Sequence, residues 1–168
     1  MSRKGHWIPA CIGVGSNLDD PVGQVRAALI GLASLPETRV QFASGLYRNP
    51  PMGPPDQPDY VNAVACILTQ LAPRDLLSAL QEIESQLGRD RVGQVHWGPR
   101  RIDLDILTYA CRSIDEEGLR IPHPGISERN FVLFPLLEVA PELPIPGLDS
   151  VRRLAANVDG SMLERVAD

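Results

Sequence analysis

The sequence predicts an α+β fold, with helices packed on one face of an antiparallel sheet and the other face open to a ligand. Three observations lead there. Period-two runs alternate with stretches of helical period in the order strand, helix, strand, strand, helix, strand. The connectors are unusually rich in proline, with 16 in 168 residues, so they are stiff loops rather than slack linkers. The composition, 43% hydrophobic and 22% charged, is that of an ordinary globular chain long enough to bury a core.

The elements follow in order. Trp7 to Val14 is largely apolar and runs into Gly13-Val14-Gly15-Ser16-Asn17, a strand entering a tight turn. Asp20 reads as an N-cap and Pro21 as the first helical residue. Val22, Val25, Leu29 and Leu32 form the stripe of that helix, which stops near Leu35-Pro36. Val40, Phe42 and Leu46 mark a second strand, and Arg48 to Asp59 is a proline loop. Tyr60 to Leu68 is a third strand, with Tyr60, Asn62, Val64 and Cys66 on one face. A second helix opens at Pro73, carries Leu76, Leu77, Leu80, Ile83 and Leu87, and ends with Gly88 at C′.

Arg89 to Pro99 has no periodicity and contains Gly93 and Gly98, so it reads as a functional loop. A strand through Asp103 and Asp105 follows, to about Tyr109. Leu119 to Pro122 is a short strand. Asn130 to Val139 is a helical stretch broken by Pro135, and a last helix starts near Ser150. This order resembles the ferredoxin-like α/β sandwich. It reads as one domain over residues 1–168, with 1–6 and about 150–168 peripheral.

Composition also narrows the function. A net charge of −5 disfavours nucleic acid and anionic membrane as partners. No apolar run reaches membrane-spanning length and the first residues lack a signal-peptide hydrophobic region, which leads to an expected cytoplasmic location. Cys11, Cys66 and Cys111 are scattered without metal-ligand spacing; Cys11 and Cys66 lie in apolar runs and read as core residues.

The most informative stretch is His96 to Leu107. Asp103 and Asp105 alternate with Ile102, Leu104 and Ile106, so both carboxylates project from one strand face and the aliphatics from the other. Two adjacent carboxylates repel each other, and a hard cation such as Mg²⁺ relieves that conflict. Taken alone, Asp-x-Asp fits a solvated sheet face equally well, and Arg101 could simply pair with Asp103. The arginines close by, Arg89, Arg91, Arg100 and Arg101, tilt the reading toward phosphoryl transfer.

Other candidates are weaker singly. The loop from Arg48 to Asn62 can present backbone groups in fixed geometry, while Tyr60 offers a flat ring and Asn62 a donor–acceptor pair suited to a heterocycle; a turn-rich connector with a core tyrosine is the alternative. Gln81 and Glu84, three apart on a helix, suit either an adenine edge or a solvated face. His123 sits in a loop constrained by Pro122 and Pro124. No histidine pair has zinc spacing, and a Walker-type phosphate loop is missing. A ferredoxin-like nucleic-acid module is disfavoured by the acidic balance, and a nucleotide-sugar Asp-x-Asp site by the short chain.

Assembled, these motifs closely resemble 6-hydroxymethyl-7,8-dihydropterin pyrophosphokinases of folate biosynthesis. Three carry the likeness: Gly13-Val14-Gly15-Ser16-Asn17-Leu18; Tyr47 to Gly53 with Gln57 to Asn62; and Trp97-Gly98-Pro99-Arg100-Arg101-Ile102-Asp103-Leu104-Asp105-Ile106. The resemblance implies transfer of pyrophosphate from ATP to the pterin hydroxymethyl group with release of AMP. It implies two Mg²⁺ ions on Asp103 and Asp105, with Arg89 and Arg100 as catalytic charges. The pterin would meet Asn49, Pro50, Met52, Tyr60, Asn62, Trp97 and Phe131, stacked between Tyr60 and Phe131. ATP would meet Gln81, Glu84, Arg89, Arg91, Trp97, Arg100, Ile106, His123 and Arg129, and Trp97 would close over the site with its loop. A monomer acting on small molecules is implied. The chain departs from the pattern at Asn49, where threonine is frequent, at Val92 in place of lysine, and at Gly118 and Pro124 in place of a nucleotide-assisting arginine and tyrosine.

Overall fold

A computed structural model describes residues 5–94 and 96–167. Met1 to Lys4, part of the segment expected to be peripheral, and Val95, inside the loop expected to close over the site, lie outside the described residues, as does Asp168.

The elements run β1 (Ile8–Ser16), α1 (Pro21–Ala33), β2 (Thr38–Ala43), β3 (Tyr47–Asn49), β4 (Tyr60–Thr69), α2 (Pro73–Gln86), β5 (Asp103–Tyr109), β6 (Ile114–Glu116), β7 (Leu119–Ile121), α3 (Asn130–Val139), α4 (Val151–Ala155) and β8 (Glu164–Arg165). The main sheet is antiparallel in the order β5-β1-β4-β3-β8. β2 and β3 share one edge of β4: Thr38 to Ala43 lie opposite Thr69 to Ala65, and Tyr47 to Asn49 opposite Asn62 to Tyr60. β6 and β7 form a separate hairpin.

Local chemistry explains the helix ends. The Asp20 carboxylate accepts the Gly23 N–H, with Pro21 in the first turn where its missing donor costs nothing. Gly88, at φ +85°, turns the chain out of α2. The alternation on β5 is as expected: Ile102, Leu104 and Ile106 are buried in the core that α1 and α2 build with β1 and β4. Each such side chain contributes roughly 1.5–3 kcal/mol of burial.

Four expectations change. The far face of the sheet is not wholly open. Ile126, Val132 and Leu136 pack a second core over Cys11, Val64 and Leu107, with Ile145 and Val151, and the end bearing Gly13, Gly15, Tyr60 and Asn62 is left as a pocket. Pro135 does not break the helix: α3 is continuous because Val132, Leu133, Pro135 and Leu136 are all buried, and that burial outweighs one lost backbone hydrogen bond. The proline loop begins one residue into a strand, β3, too short to show alternation. The tail helix from Ser150 is a single turn and a half, after which the chain returns to the sheet as β8. Cys11 is buried and Cys66 half-buried, their sulfurs 3.6 Å apart on paired strands.

Candidate active site

Twin carboxylates come first. β5 pairs with β1 so that Asp103 lies opposite Gly15 and Asp105 opposite Gly13. With only hydrogens on those neighbours, the carboxylates look into an open pocket. Burial, then the Asp103 charge, then Glu84, push the Asp105 carboxyl well above the usual carboxylate range, to about 7. A cation beside the pair would remove that repulsion. Among the described residues no three His, Cys, Asp or Glu side chains are arranged to hold a metal ion. Two carboxylates that leave remaining ligand positions to substrate oxygens fit Mg²⁺ in that role.

Beneath them lies a buried ionic cluster. Glu84, 1% exposed, receives Arg89 Nη1 at 2.7 Å, Arg91 Nη2 at 2.6 Å and the Leu104 N–H at 3.0 Å. Arg89 Nη1 also reaches Asp103 Oδ1 at 2.5 Å. Burial pushes the Glu84 carboxyl up, and the Leu104 N–H and both guanidinium groups oppose the rise. Arg89 is itself buried, and its Nε has no protein partner among the described residues. Arg101 pairs with Asp19, not with Asp103.

His123 faces Asp105, its Nε2 3.9 Å from Oδ2. Burial and the nearby Arg129 hold the imidazole down to about 4, so it is neutral near pH 7. Its Nδ1 accepts the Gly125 N–H at 3.0 Å, which puts the proton on Nε2, on the side of Asp105.

The aromatic half of the pocket is formed by Tyr60, Trp97 and Phe131, with Met52, Asn49, Asn62, Arg100 and Arg129. The Tyr60 hydroxyl donates to the Gly98 carbonyl at 2.9 Å. The Arg129 guanidinium lies 5.6 Å from the Trp97 ring centre and 5.8 Å from that of Phe131. Asn62 Nδ2 donates to Asn49 Oδ1 at 2.6 Å, and Asn49 Nδ2 to the Pro50 carbonyl at 3.0 Å. The unusual Asn49 thus orients Asn62 through its side chain.

The structure therefore brings together Asn49, Met52, Tyr60, Asn62, Trp97, Arg100, Asp103, Asp105, His123, Arg129 and Phe131. Ile106 lies in an adjoining cleft with Leu77, Gly118, Arg120 and Pro124, reached past Asp105 and His123. Arg89 and Glu84 lie under the carboxylates, whereas Pro50, Gln81 and Arg91 are exposed at the periphery. Gln81 and Glu84 share a helix, but one meets water while the other is sealed against Arg89.

Three polar residues without an assigned role in the sequence reading hold the site. Asn17, 1% exposed, accepts the Arg100 N–H at 2.8 Å and donates to Gln57 Oε1 at 3.1 Å and the Pro58 carbonyl at 3.0 Å. Gln57 Nε2 donates to the Trp97 carbonyl at 3.0 Å. Gln94 Oε1 accepts Arg100 Nη1 at 2.7 Å and Arg89 Nη2 at 3.4 Å. The available signal was an amide in each loop, Asn17 at a glycine turn and Gln57 among prolines, and amides satisfy loop backbone.

Comparison with known proteins agrees with this geometry. Residues 11–141 match the model of the family described as 7,8-dihydro-6-hydroxymethylpterin-pyrophosphokinase (HPPK). A 2-amino-4-hydroxy-6-hydroxymethyldihydropteridine pyrophosphokinase of Haemophilus influenzae is 46% identical over 147 residues, covering 88% of this chain and 91% of the relative. One of the same name from Pseudomonas aeruginosa is 44% identical over 155 residues, covering 92% and 94%. A crystal structure of wild-type Plasmodium falciparum HPPK-DHPS superposes with a TM-score of 0.71 at 15% identity; it covers 92% of this chain, which spans 44% of the solved one, and it speaks to the fold alone. With the signature strand, the glycine turn and the proline loop meeting in one pocket inside the matched segment, the chain belongs to the 7,8-dihydro-6-hydroxymethylpterin-pyrophosphokinase family.

Proposed function

We propose a division of labour among the pocket residues for the reaction of this family. The enzyme is a pyrophosphokinase that transfers pyrophosphate to 6-hydroxymethyl-7,8-dihydropterin in folate biosynthesis, with ATP as the co-substrate. The observation that carries the assignment of roles is the juxtaposition, in one pocket, of a repelling carboxylate pair, guanidinium groups and an aromatic slot.

In this reading Tyr60 and Phe131 flank the pterin ring, with Trp97 beside it, and Asn62, set by Asn49, reads the polar edge together with backbone from Asn49 to Met52. The triphosphate lies along Arg89, Arg91, Arg100 and Arg129. Gln81, Ile106 and His123 border the nucleoside, and Glu84 holds Arg89 in place from beneath. Asp103 and Asp105 would hold two Mg²⁺ ions, which would supply neutralisation of phosphate charge. The pterin hydroxyl attacks the β-phosphorus in line: its oxygen gives up its proton to solvent and gains the bond to phosphorus, and the bond from the β-phosphorus to the α–β bridging oxygen breaks, that oxygen leaving on AMP. Arg89 and Arg100 stabilise charge gathering on the transferred group and the departing oxygen. Positioning and electrostatics dominate, as expected for phosphoryl transfer.

The same reading takes residues 1–168 as one pyrophosphokinase domain, a cytoplasmic monomer working on small molecules without nucleic acid or membrane. The net charge of −5 disfavours nucleic acid and anionic membrane as partners; among the described residues no helix is long and apolar enough to cross a membrane.

The test is to mix the protein with MgATP and the hydroxymethyl dihydropterin and follow AMP. Stoichiometric AMP and pterin pyrophosphate are expected. Asp103→Asn and Asp105→Asn should each lower turnover at least about a hundredfold; the thermal midpoint should hold or rise in Asp105→Asn, where a like-charge repulsion is removed, and fall in Asp103→Asn, which gives up the ion pair to Arg89. Near-normal turnover of either variant at saturating Mg²⁺ would refute the metal role.

A further inference from the structure

Beyond residue 141 the chain leaves the segment that matches the family, yet its end returns to the pterin side of the site. β8 lies along the outer edge of β3, with Arg165 opposite Tyr47 and Glu164 opposite Arg48, and the Val166 N–H donates to the Leu46 carbonyl at 2.8 Å. β3 is three residues long and ends at Asn49, the residue that orients Asn62. So short a strand is weakly held by one neighbour. β8 gives it a second.

A carboxylate ties this edge to α3. Glu138 Oε2 accepts the Tyr47 hydroxyl at 2.6 Å, and its Oε1 accepts the Gly45 N–H at 3.0 Å and Arg165 Nη2 at 3.1 Å. The Arg165 guanidinium lies flat over Gly45, where a Cβ would stand 2.7 Å from Nε. Burial, then Glu138, push the Tyr47 phenol up to about 12, so it remains a donor at neutral pH. Upstream of β8 the tail is also tied to the start of α3. Asn130, next to Phe131, donates to the Asp159 carbonyl at 2.8 Å, and a Cβ at Gly160 would meet the Phe134 ring at 2.6 Å.

We propose that residues 159–166 form a strap that fixes the spacing between Asn49 on β3, which sets the edge-reading Asn62, and Phe131 on α3, which flanks the pterin ring, with Arg165, Glu138 and Tyr47 as positioning residues. The strap buries little apolar surface: Glu164, Arg165 and Met162 are exposed. It therefore adds little to global stability, and its contacts converge on the one edge where pterin recognition needs a fixed distance. Among the described residues the triphosphate side, on β5 and the arginine loop, shares none of these contacts. The proposal rests on the slot assigned above.

The test uses the full chain. Tyr47→Phe and Arg165→Ala should each raise the KM for the hydroxymethyl dihydropterin about threefold to tenfold. The kcat and the KM for MgATP should stay within about twofold, and the thermal midpoint of Arg165→Ala within about 2 °C. Arg165→Lys, which keeps a charge on Glu138 but not the planar cover over Gly45, should recover part of the loss. Unchanged pterin KM in both variants would overturn the strap. So would a parallel fall in kcat, both substrate affinities and melting temperature, which would make the tail merely structural. Asn62→Ala and Phe131→Ala run alongside. If they leave pterin binding intact, the slot itself is misassigned and the strap's role falls with it. If they weaken binding while the strap variants do not, only the strap is refuted.

Discussion

Replacing Asn17 with alanine should damage both stability and turnover, although this side chain lines no part of the pocket. Asn17 is 1% exposed and makes three side-chain hydrogen bonds, from the Arg100 N–H and to Gln57 Oε1 and the Pro58 carbonyl. Alanine leaves all three partners unpaired where water has little access. At about 1 kcal/mol net for each bond, the loss is about 3 kcal/mol, a sizeable part of the roughly 5–15 kcal/mol that holds a domain together. For a chain of this size that corresponds to a drop of about 6–12 °C in the thermal midpoint. Turnover should fall further than folding alone requires, because Arg100 loses the tether that sets its backbone and misplacement of such a group by about 1 Å can cost a hundredfold. Asn17→Asp separates the two effects. It keeps the acceptor for the Arg100 N–H but sets a carboxylate against two carbonyl-type oxygens, so it should destabilise at least as much as alanine while preserving more activity per folded molecule. Thermal melts and steady-state kinetics on both variants at matched folded fraction decide the matter. An alanine variant that melts within about 2 °C of the parent and turns over normally would show that the amide network does not hold the arginine.

Other outcomes follow from the same geometry. In Gly15→Ala the new methyl group would stand 2.5 Å from Asn62 Oδ1, so pterin affinity should fall about tenfold, the equivalent of about 1.4 kcal/mol, with MgATP affinity preserved; equal losses for both ligands in calorimetric titration would contradict this. Tyr60→Ala and Asn62→Ala should likewise weaken pterin far more than ATP, by roughly 1–3 kcal/mol if a pterin stacks as a base does; separate titrations of each ligand check it. For pH, the fold favours the neutral Tyr47 phenol, raised from 10.0 to about 12. Its contribution to stability is therefore complete below pH 10 and is lost as pH rises toward 12. The gap in melting temperature between the parent and Tyr47→Phe should close across that interval, and a constant gap would disprove the link.

What could be read without coordinates was whatever depends on short range. Alternation put Ile102, Leu104 and Ile106 in the core and Asp103 with Asp105 on the opposite face, because a strand's period of two leaves no choice. Asp20-Pro21 and Gly88 marked helix ends because capping is settled within a few residues. Tyr60 and Asn62 fell on one strand face by the same period of two. The tertiary structure alone decided which charges meet: that Arg89 rather than Arg101 reaches Asp103, and that Glu84 is sealed beneath it while Gln81 faces water. Helical spacing cannot distinguish a face toward solvent from one toward a buried guanidinium. Pro135 remained inside α3 because burial on both sides outweighed a local rule. Asn17 and Gln57 join residues 40 or more positions apart, and β8 joins β3 across as many as 120, from Leu46 to Val166. Such pairings leave no periodic trace in a sequence, because the hydrogen bonds that make them exist only once the sheet has brought distant backbone together.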